Sequence, residues 1–135
     1  MDDDLSIEAL DEGAMGAMAE ERREVITDAE TFEERWNALH GHRSEPPAPP
    51  SVDFDAHVVV LAALGQRPTG GYSVALERAL HDEEEGVVEL IVREVRPGEG
   101  CMVTQALTFP YLLATVEAVD ASYEFMEAEP READC

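Results

Sequence analysis

An eight-residue apolar run at positions 57–64 is the feature that most constrains the fold. It reads His-Val-Val-Val-Leu-Ala-Ala-Leu and leaves no polar face after its first residue. A strand of this kind is covered on both of its faces, as the central strand of a sheet is. The run is far shorter than the roughly 20 apolar residues of a membrane span. It therefore predicts a buried central strand, and no membrane insertion.

The sequence after this run predicts a series of short strands. Apolar and polar residues alternate over 72–77, an acidic turn follows at 82–86, and a further apolar segment covers 87–95. A tight turn at 97–100 precedes strands expected near 101–107, 112–119 and 123–126. Consecutive strands separated by turns indicate an α+β fold that is mainly antiparallel β, as a sandwich-like or curled sheet.

One amphipathic helix is expected before the sheet, over about residues 28–40. A short strand at 23–26 leads into it. Thr27 and Glu30 have the spacing of a capping box, which places the start of the helix here. Phe32, Trp36 and Leu39 then repeat on one helical face. We expect this face to pack on the sheet, with Trp36 as a core anchor.

The chain is divided by this pattern into three parts. We predict an acidic N-terminal arm (1–22), a single domain (23–128) and a tail (129–135). The domain comprises the helix, a proline-rich strap at 44–51 and a β region at 53–128. The arm has only weak helical periodicity, and we expect a loose segment or a marginal helix.

The net charge of the 135-residue chain is −22, from 31 acidic residues against 9 Lys plus Arg. Such a surface repels phosphates, which argues against nucleic acid and anionic membranes as partners. Self-repulsion destabilises a small domain of this charge, but about 1 M salt shortens the Debye length to about 3 Å. The composition favours a salt-adapted (halophilic) protein, with a mesophilic acidic protein as the alternative.

The start of the sequence bears on location. Met1 is followed by three aspartates, with neither the basic nor the apolar region of a signal peptide. We expect a cytoplasmic protein as the sequence is written, or an extracytoplasmic one if a signal was removed. Cys101 and Cys135 imply no disulfide framework, and Cys135 lies in a tail expected to fray.

Acidic residues are missing from two windows, 56–76 and 100–116. Buried strands explain part of this absence. Each window also contains a loop, however, and loops normally lie on the surface. We infer that these loops are packed together, kept uncharged for a partner, or both. The predicted partner-binding residues are Arg67, Pro68, Thr69, Gly70, Gly71, Tyr72, Thr108, Phe109, Pro110 and Tyr111.

Three motifs in the second half of the chain resemble the PrcB family, in its C-terminal domain. They are Arg-Pro-Thr-Gly-Gly-Tyr at 67–72, Pro-Gly-Glu-Gly-Cys at 97–101, and Val-Thr-Gln-Ala-Leu-Thr-Phe-Pro-Tyr at 103–111. The resemblance covers about residues 53–118. It implies an accessory subunit of a protease complex, without enzymatic activity of its own, that binds a protein partner through the acid-free loops.

The segment at 68–72 also resembles the Pro-Thr-Thr-Gly-Tyr loop of chagasin-type inhibitors of cysteine peptidases. That similarity implies an alternative function, in which the loop from Pro68 to Tyr72 blocks a peptidase cleft. It also suggests an immunoglobulin-like sandwich. A homo-oligomer is left open.

Other residue groups were weighed for chemistry, and none is assigned a catalytic role, a metal or a cofactor. His40 and His42 flank a glycine at the predicted helix end, where we expect a solvated or capping role. Asp53 and Asp55 lack the spacing of a calcium loop. Cys101 with His57 could form a nucleophile–base pair, but a small buried cysteine is the commoner case.

Overall fold

The strands and the helix follow the predicted order along most of the chain. The protein is described here from a computed structural model that covers residues 2–133. The predictions for Met1 and Cys135 lie outside these residues. The elements are β1 (Asp2–Asp4), β2 (Ile7–Gly13), β3 (Arg22–Ile26), α1 (Ala29–His40), β4 (His57–Ala63), β5 (Ser73–Asp82), β6 (Val87–Pro97), β7 (Tyr111–Glu117), β8 (Ser122–Glu127) and β9 (Arg131–Ala133).

The strands form two sheets. In the first sheet, β5 pairs with β1 on one side and with β6 on the other, and β8 and β9 both pair with β6. In the second sheet the order is β2-β7-β4-β3. All pairs are antiparallel except β6 with β8 and β6 with β9, which are parallel. The predicted α+β, mainly antiparallel fold is confirmed.

Strand β4 contacts both neighbours of the second sheet, which are the first sheet on one face and helix α1 on the other. Val58, Val60 and Ala62 face the core between the two sheets, whereas Val59 and Leu61 face the helix. All five are buried. Because successive side chains of a strand point to opposite faces, one continuous apolar strand can serve both cores. The central strand predicted from residues 57–64 is therefore confirmed.

Helix α1 packs on the outer face of the second sheet through Phe32, Trp36 and Leu39, as expected. Its N-cap is Asp28 rather than Thr27, so the predicted capping box is wrong by one residue. The Asp28 carboxylate accepts from the Thr31 N–H at 2.8 Å and from the Thr31 hydroxyl at 3.0 Å. A carboxylate is as good an N-cap as a hydroxyl, and here it satisfies two donors at once.

The N-terminal residues differ from the expected loose segment or marginal helix. Strand β2 pairs with β7 over residues 7–13, and β1 pairs with the end of β5. The reason is tertiary: Leu5 and Ile7 pack against the core between the sheets, and β7 offers a buried strand with a free side. Weak local periodicity carried no sign of this long-range pairing.

Two further expectations in the second half of the chain are corrected. Residues 101–107 form an irregular loop instead of a strand, and most of them are exposed. The backbone carbonyl of Thr104 accepts from Gly70 across the loops instead of entering a sheet. In the predicted tail, Arg131–Ala133 forms β9 alongside β6. The division into arm, domain and tail stays a prediction. No helix within residues 2–133 is long and apolar enough to cross a membrane.

Candidate functional site

The two acid-free loops lie side by side. Arg67 and Thr108 form an antiparallel bridge, with N–H to carbonyl distances of 2.8 and 2.9 Å. The Thr108 hydroxyl also donates to the Thr69 carbonyl at 2.8 Å, and the Gly70 N–H donates to the Thr104 carbonyl at 2.9 Å. The structure therefore brings together the two loops that the sequence singled out.

A third segment, residues 13–19, joins these loops. The Phe109 N–H donates to the Ala14 carbonyl at 2.7 Å, and the Gly16 N–H donates to the Phe109 carbonyl at 3.1 Å. The Gln66 N–H donates to the Ala19 carbonyl at 3.2 Å. Sequence reasoning missed this segment, although the signal was present. Residues 13–19 also lack acids, in a chain where almost one residue in four is acidic.

Gly71 is a point of close contact between the first loop and two other segments of the chain. Its φ is +91°, a conformation that side chains strongly disfavour. A Cβ atom at this position would lie 2.9 Å from both Pro97 and Val103, which belong to the other two motifs quoted above. The glycine is therefore needed for two separate reasons, one conformational and one steric.

The Arg67 side chain fixes the loop to strand β6. Its guanidinium donates to both carboxylate oxygens of Glu94, at 3.0 and 3.1 Å, and to the Leu64 carbonyl at 2.9 Å. It also lies 5.9 Å from the centre of the Tyr72 ring. Such planar two-point pairing is geometrically specific. Arg67 thus acts within the protein, as an anchor that sets the shape of the loop.

Electrostatics at this anchor favour the charged pair. Burial by itself raises the pKa of Glu94, but the hydrogen bonds from Arg67 and Arg96 outweigh it and hold the pKa below its ordinary value of 4.5. The hydrogen bond that Arg67 donates to Glu94 in turn raises the pKa of Arg67. Both groups are therefore charged at neutral pH.

The ten predicted site residues differ in exposure. Pro68 and Gly71 are exposed. Five are half-buried: Arg67, Thr69, Gly70, Tyr72 and Phe109. The remaining three, Thr108, Pro110 and Tyr111, are buried and do not reach the surface of this chain. A partner that binds here meets the first group and part of the second.

Tyr111 belongs to the core beneath the helix. Its hydroxyl donates to Asp11 at 2.7 Å and lies 3.5 Å from Nε2 of His40. Burial raises the pKa of Tyr111 above its ordinary value of 10.0, and the hydrogen bond to Asp11 acts in the same direction. The tyrosine is therefore neutral.

The prediction of a solvated or capping His40 is wrong, because its side chain is buried and its Nε2 lies 2.6 Å from Asp11. A bulge in β2 between Ala9 and Asp11 re-aims the carboxylate toward it. Sequence periodicity does not show a bulge of this kind.

Exposed apolar side chains concentrate on the three joined segments. The large apolar side chains with high exposure within residues 2–133 are Met15, Met102, Leu107 and Met126. Met102 is fully exposed, and the other three are about half exposed. The first three lie on segment 13–19 and on residues 101–110, which include the second acid-free loop. Together with Pro68, the exposed proline of the first loop, they form what we call the acid-free surface: Met15, Pro68, Met102 and Leu107.

The residues weighed for catalysis do not form a reactive group. Cys101 is disulfide-bonded, so the expectation that the cysteines imply no disulfide is wrong, and Cys101 is no free thiol nucleophile. Over residues 2–133 no group of three or more His, Cys, Asp or Glu side chains is arranged to hold a metal ion.

Comparison with known proteins gives one match. Residues 58–117 match the model of the family described as PrcB C-terminal. No curated protein and no solved structure matches the chain. The matched region runs from β4 to β7 and contains both predicted loops, whereas segment 13–19 lies outside it. The resemblance stated from the three motifs is confirmed.

Proposed function

We propose that this chain, whose residues 58–117 match the PrcB C-terminal family, is a non-enzymatic accessory module that binds a protein partner through its acid-free surface. The family associates the domain with a protease complex, and we propose a protease or another subunit of its complex as that partner. The proposal rests on one observation. In a chain of net charge −22, three of the four highly exposed large apolar side chains of residues 2–133 lie on the joined acid-free segments.

The chemistry of this surface suits protein binding at high ionic strength. Ion pairs between exposed groups weaken as the Debye length falls to about 3 Å near 1 M salt, whereas apolar contacts do not. We propose that the chain works in a salt-rich environment, where its charge keeps it soluble and the acid-free surface provides attraction.

The loops are also held in place before any partner arrives. Backbone bonds join Arg67 to Thr108 and Gly70 to Thr104, and the Arg67 side chain is fixed on Glu94. A surface that is ordered in advance loses little conformational entropy on binding. This supports a role for the loops as a rigid contact site.

The test is a binding experiment with a matched control. Tagged protein is incubated in about 2 M KCl with lysate of the source organism, and cross-linked partners are identified by mass spectrometry. Wild type and Met126→Glu should recover the same protease-complex protein, whereas Met102→Glu and Leu107→Glu should lose most of it. All three positions are exposed, so the variants should fold alike. Equal recovery by all four proteins, or no specific partner, would contradict the proposal.

The inhibitor function stays a hypothesis, favoured by the exposure of Pro68 and Gly71 at the tip of the loop. It makes a separate claim: stoichiometric protein should inhibit a papain-type cysteine peptidase. Gly70→Glu should abolish that inhibition, because a carboxylate would then stand beside Thr104 in the loop. An uninhibited peptidase at molar excess of the wild-type protein removes this alternative.

A further inference from the structure

Strand β5 has an open side along its first half. Strand β1 pairs with it only from Leu80 to Asp82, and the last contact is the Leu5 N–H, which donates to the Ala79 carbonyl at 2.8 Å. The chain then crosses to the second sheet, where it becomes β2. Within the described residues 2–133, no strand pairs with residues 73–77 on the side away from β6.

The ladder with β6 shows which backbone groups face this open side. Leu76 lies opposite Val92, and the Val92 carbonyl accepts from Ala128, on the far side of β6. Because the Val92 backbone points away from β5, this is a non-hydrogen-bonded pair, and Leu76 also points its N–H and carbonyl outward. Val74, two residues earlier, has the same orientation. Two donors and two acceptors thus line the open edge.

A cleft lies beside this edge, between the two sheets. Its volume is about 370 Å³, at the lower end of the roughly 300–1,000 Å³ typical of ligand pockets. Its lining combines aromatic and small residues with one carboxylate: Glu12, Gly13, Ala14, Tyr72, Ser73, Val74 and Tyr111. It therefore offers apolar walls next to unpaired backbone groups.

We propose that an extended peptide segment of a partner protein adds to β5 as a new strand, antiparallel to residues 73–77 and in line with β1. This inference rests on the proposed function, and it specifies the mode of partner recognition. Main-chain hydrogen bonds to Val74 and Leu76 provide affinity, and alternate side chains enter the cleft. The segment has apolar residues at the inward positions and a basic residue where it passes Glu12.

Charge distinguishes this occupant from a second copy of the chain. Two chains of net charge −22 repel each other, and the cleft adds the Glu12 carboxylate at the point of contact. A segment with a lysine or arginine neutralises that carboxylate instead. The edge therefore fits a basic extended peptide better than it fits another copy.

The experiment uses a phage-displayed library of random ten-residue peptides, selected on the intact wild-type protein in about 1 M KCl. Enriched peptides are then synthesised, and each is made in two forms with N-methyl groups on alternate residues. In strand addition, one set of peptide N–H groups faces β5 and the other faces solvent. One methylated form should therefore lose at least about tenfold in affinity while the other loses little.

Protein variants locate the site. Glu12→Arg reverses the charge of the one carboxylate in the cleft lining and should weaken binding of a basic peptide about tenfold. Glu33→Arg, on the exposed side of α1, makes the same charge change away from the cleft and should leave binding unchanged. A circular-dichroism melt checks that both variants are folded. Chemical-shift changes of the Val74 and Leu76 amides on titration of the peptide give an independent readout if Glu12→Arg does not fold.

Strand addition would be overturned by the absence of any enriched peptide, by equal loss of affinity from both methylated forms, or by binding that is unchanged in Glu12→Arg. If the peptides bind the wild-type protein and lose affinity only for Met102→Glu or Leu107→Glu, strand addition is overturned and the proposed function still holds. If both Met102→Glu and Leu107→Glu still recover the protein partner, the proposed function is contradicted, whatever the peptides show.

Discussion

The turn that precedes strand β5 and the turn that follows it are stabilised in opposite ways. At its end, residues 82–86 are acidic and closed by local bonds: Asp82 accepts from the N–H groups of Glu84, Glu85 and Gly86. At its start, residues 65–72 contain no acid and are tied to segments far away in sequence. The comparison teaches that the acidic turn is closed by hydrogen bonds within it, whereas the acid-free turn depends on segments far away in sequence.

The largest effect should come from a pair of glycine variants, one at each end. Gly71 and Gly86 both have positive φ, at +91° and +68°. Only Gly71 has neighbours that a Cβ would strike, since nothing lies within 4 Å at Gly86. We expect Gly86→Ala to cost about 1 kcal/mol from backbone strain alone. Gly71→Ala should cost about 3 kcal/mol, because overpacking adds to that strain.

Urea unfolding of both variants measures this difference. Gly70→Ala serves as a further control, because its Cβ would meet Thr104 at 3.4 Å without positive φ. Equal costs at Gly71 and Gly86 would show that the start of β5 is no more constrained than its end.

An intermediate difference in stability should appear between variants of two carboxylates on the β5–β6 hairpin. Glu94 pairs with Arg67 at the start of β5, and its side chain is 13% exposed, against 35% for Glu77, which pairs with Arg93. Removing one partner of a largely desolvated pair leaves the other charge uncompensated. We expect Glu94→Gln to lower the free energy of unfolding by about 2 kcal/mol and Glu77→Gln by about 0.5 kcal/mol or less.

The cost of Glu94→Gln should depend on pH. Because the pKa of Glu94 is held below 4.5 in the folded protein, its charged form contributes stability above that value. The contribution is lost as pH falls through the folded pKa. The difference between wild type and Glu94→Gln should therefore be constant from pH 6 to pH 8 and shrink below about pH 4.5. A constant difference down to pH 3 would contradict the assigned pairing.

The smallest effect concerns the acidic turn. Replacing Glu83, Glu84 and Glu85 together by glutamine removes like charges that repel one another across the end of β5. In 50 mM salt this should raise the free energy of unfolding by about 0.5 kcal/mol, and near 1 M salt the gain should vanish through screening. A gain that persists at 1 M salt would assign the effect to something other than charge.

The parts that could be predicted from sequence are those whose signal is local. A stretch of about ten residues is enough to recognise each of three features: the buried run at 57–64, the helix face with Trp36, and the acid-free loops. The pairing of β2 with β7, the bulge that aims Asp11 at His40, and the burial of Tyr111 depend on residues about 30 to 110 positions apart. No local pattern encodes such contacts.

The candidate site likewise combines features that a local sequence pattern predicts with features that only the structure shows. Its two loops could be located because acids are missing there, but the absence of acids has two causes that look identical in sequence. Thr108 and Tyr111 lack charge because they are buried, whereas Met102 lacks it at full exposure. Only the structure separates these cases, and it moves the surface available to a partner from Tyr111 toward Met102, Leu107 and Met15.

The pairing of β2 with β7 also has a consequence for the timing of folding. Ile7 lies opposite Val116, so β2 has no partner until residue 116 has been synthesised. Loops of this length close slowly, and folds rich in such contacts fold slowly as well. During translation the apolar side chains of β2 must remain in solution, and the aspartates and glutamates among them favour the solubility of the unpaired strand.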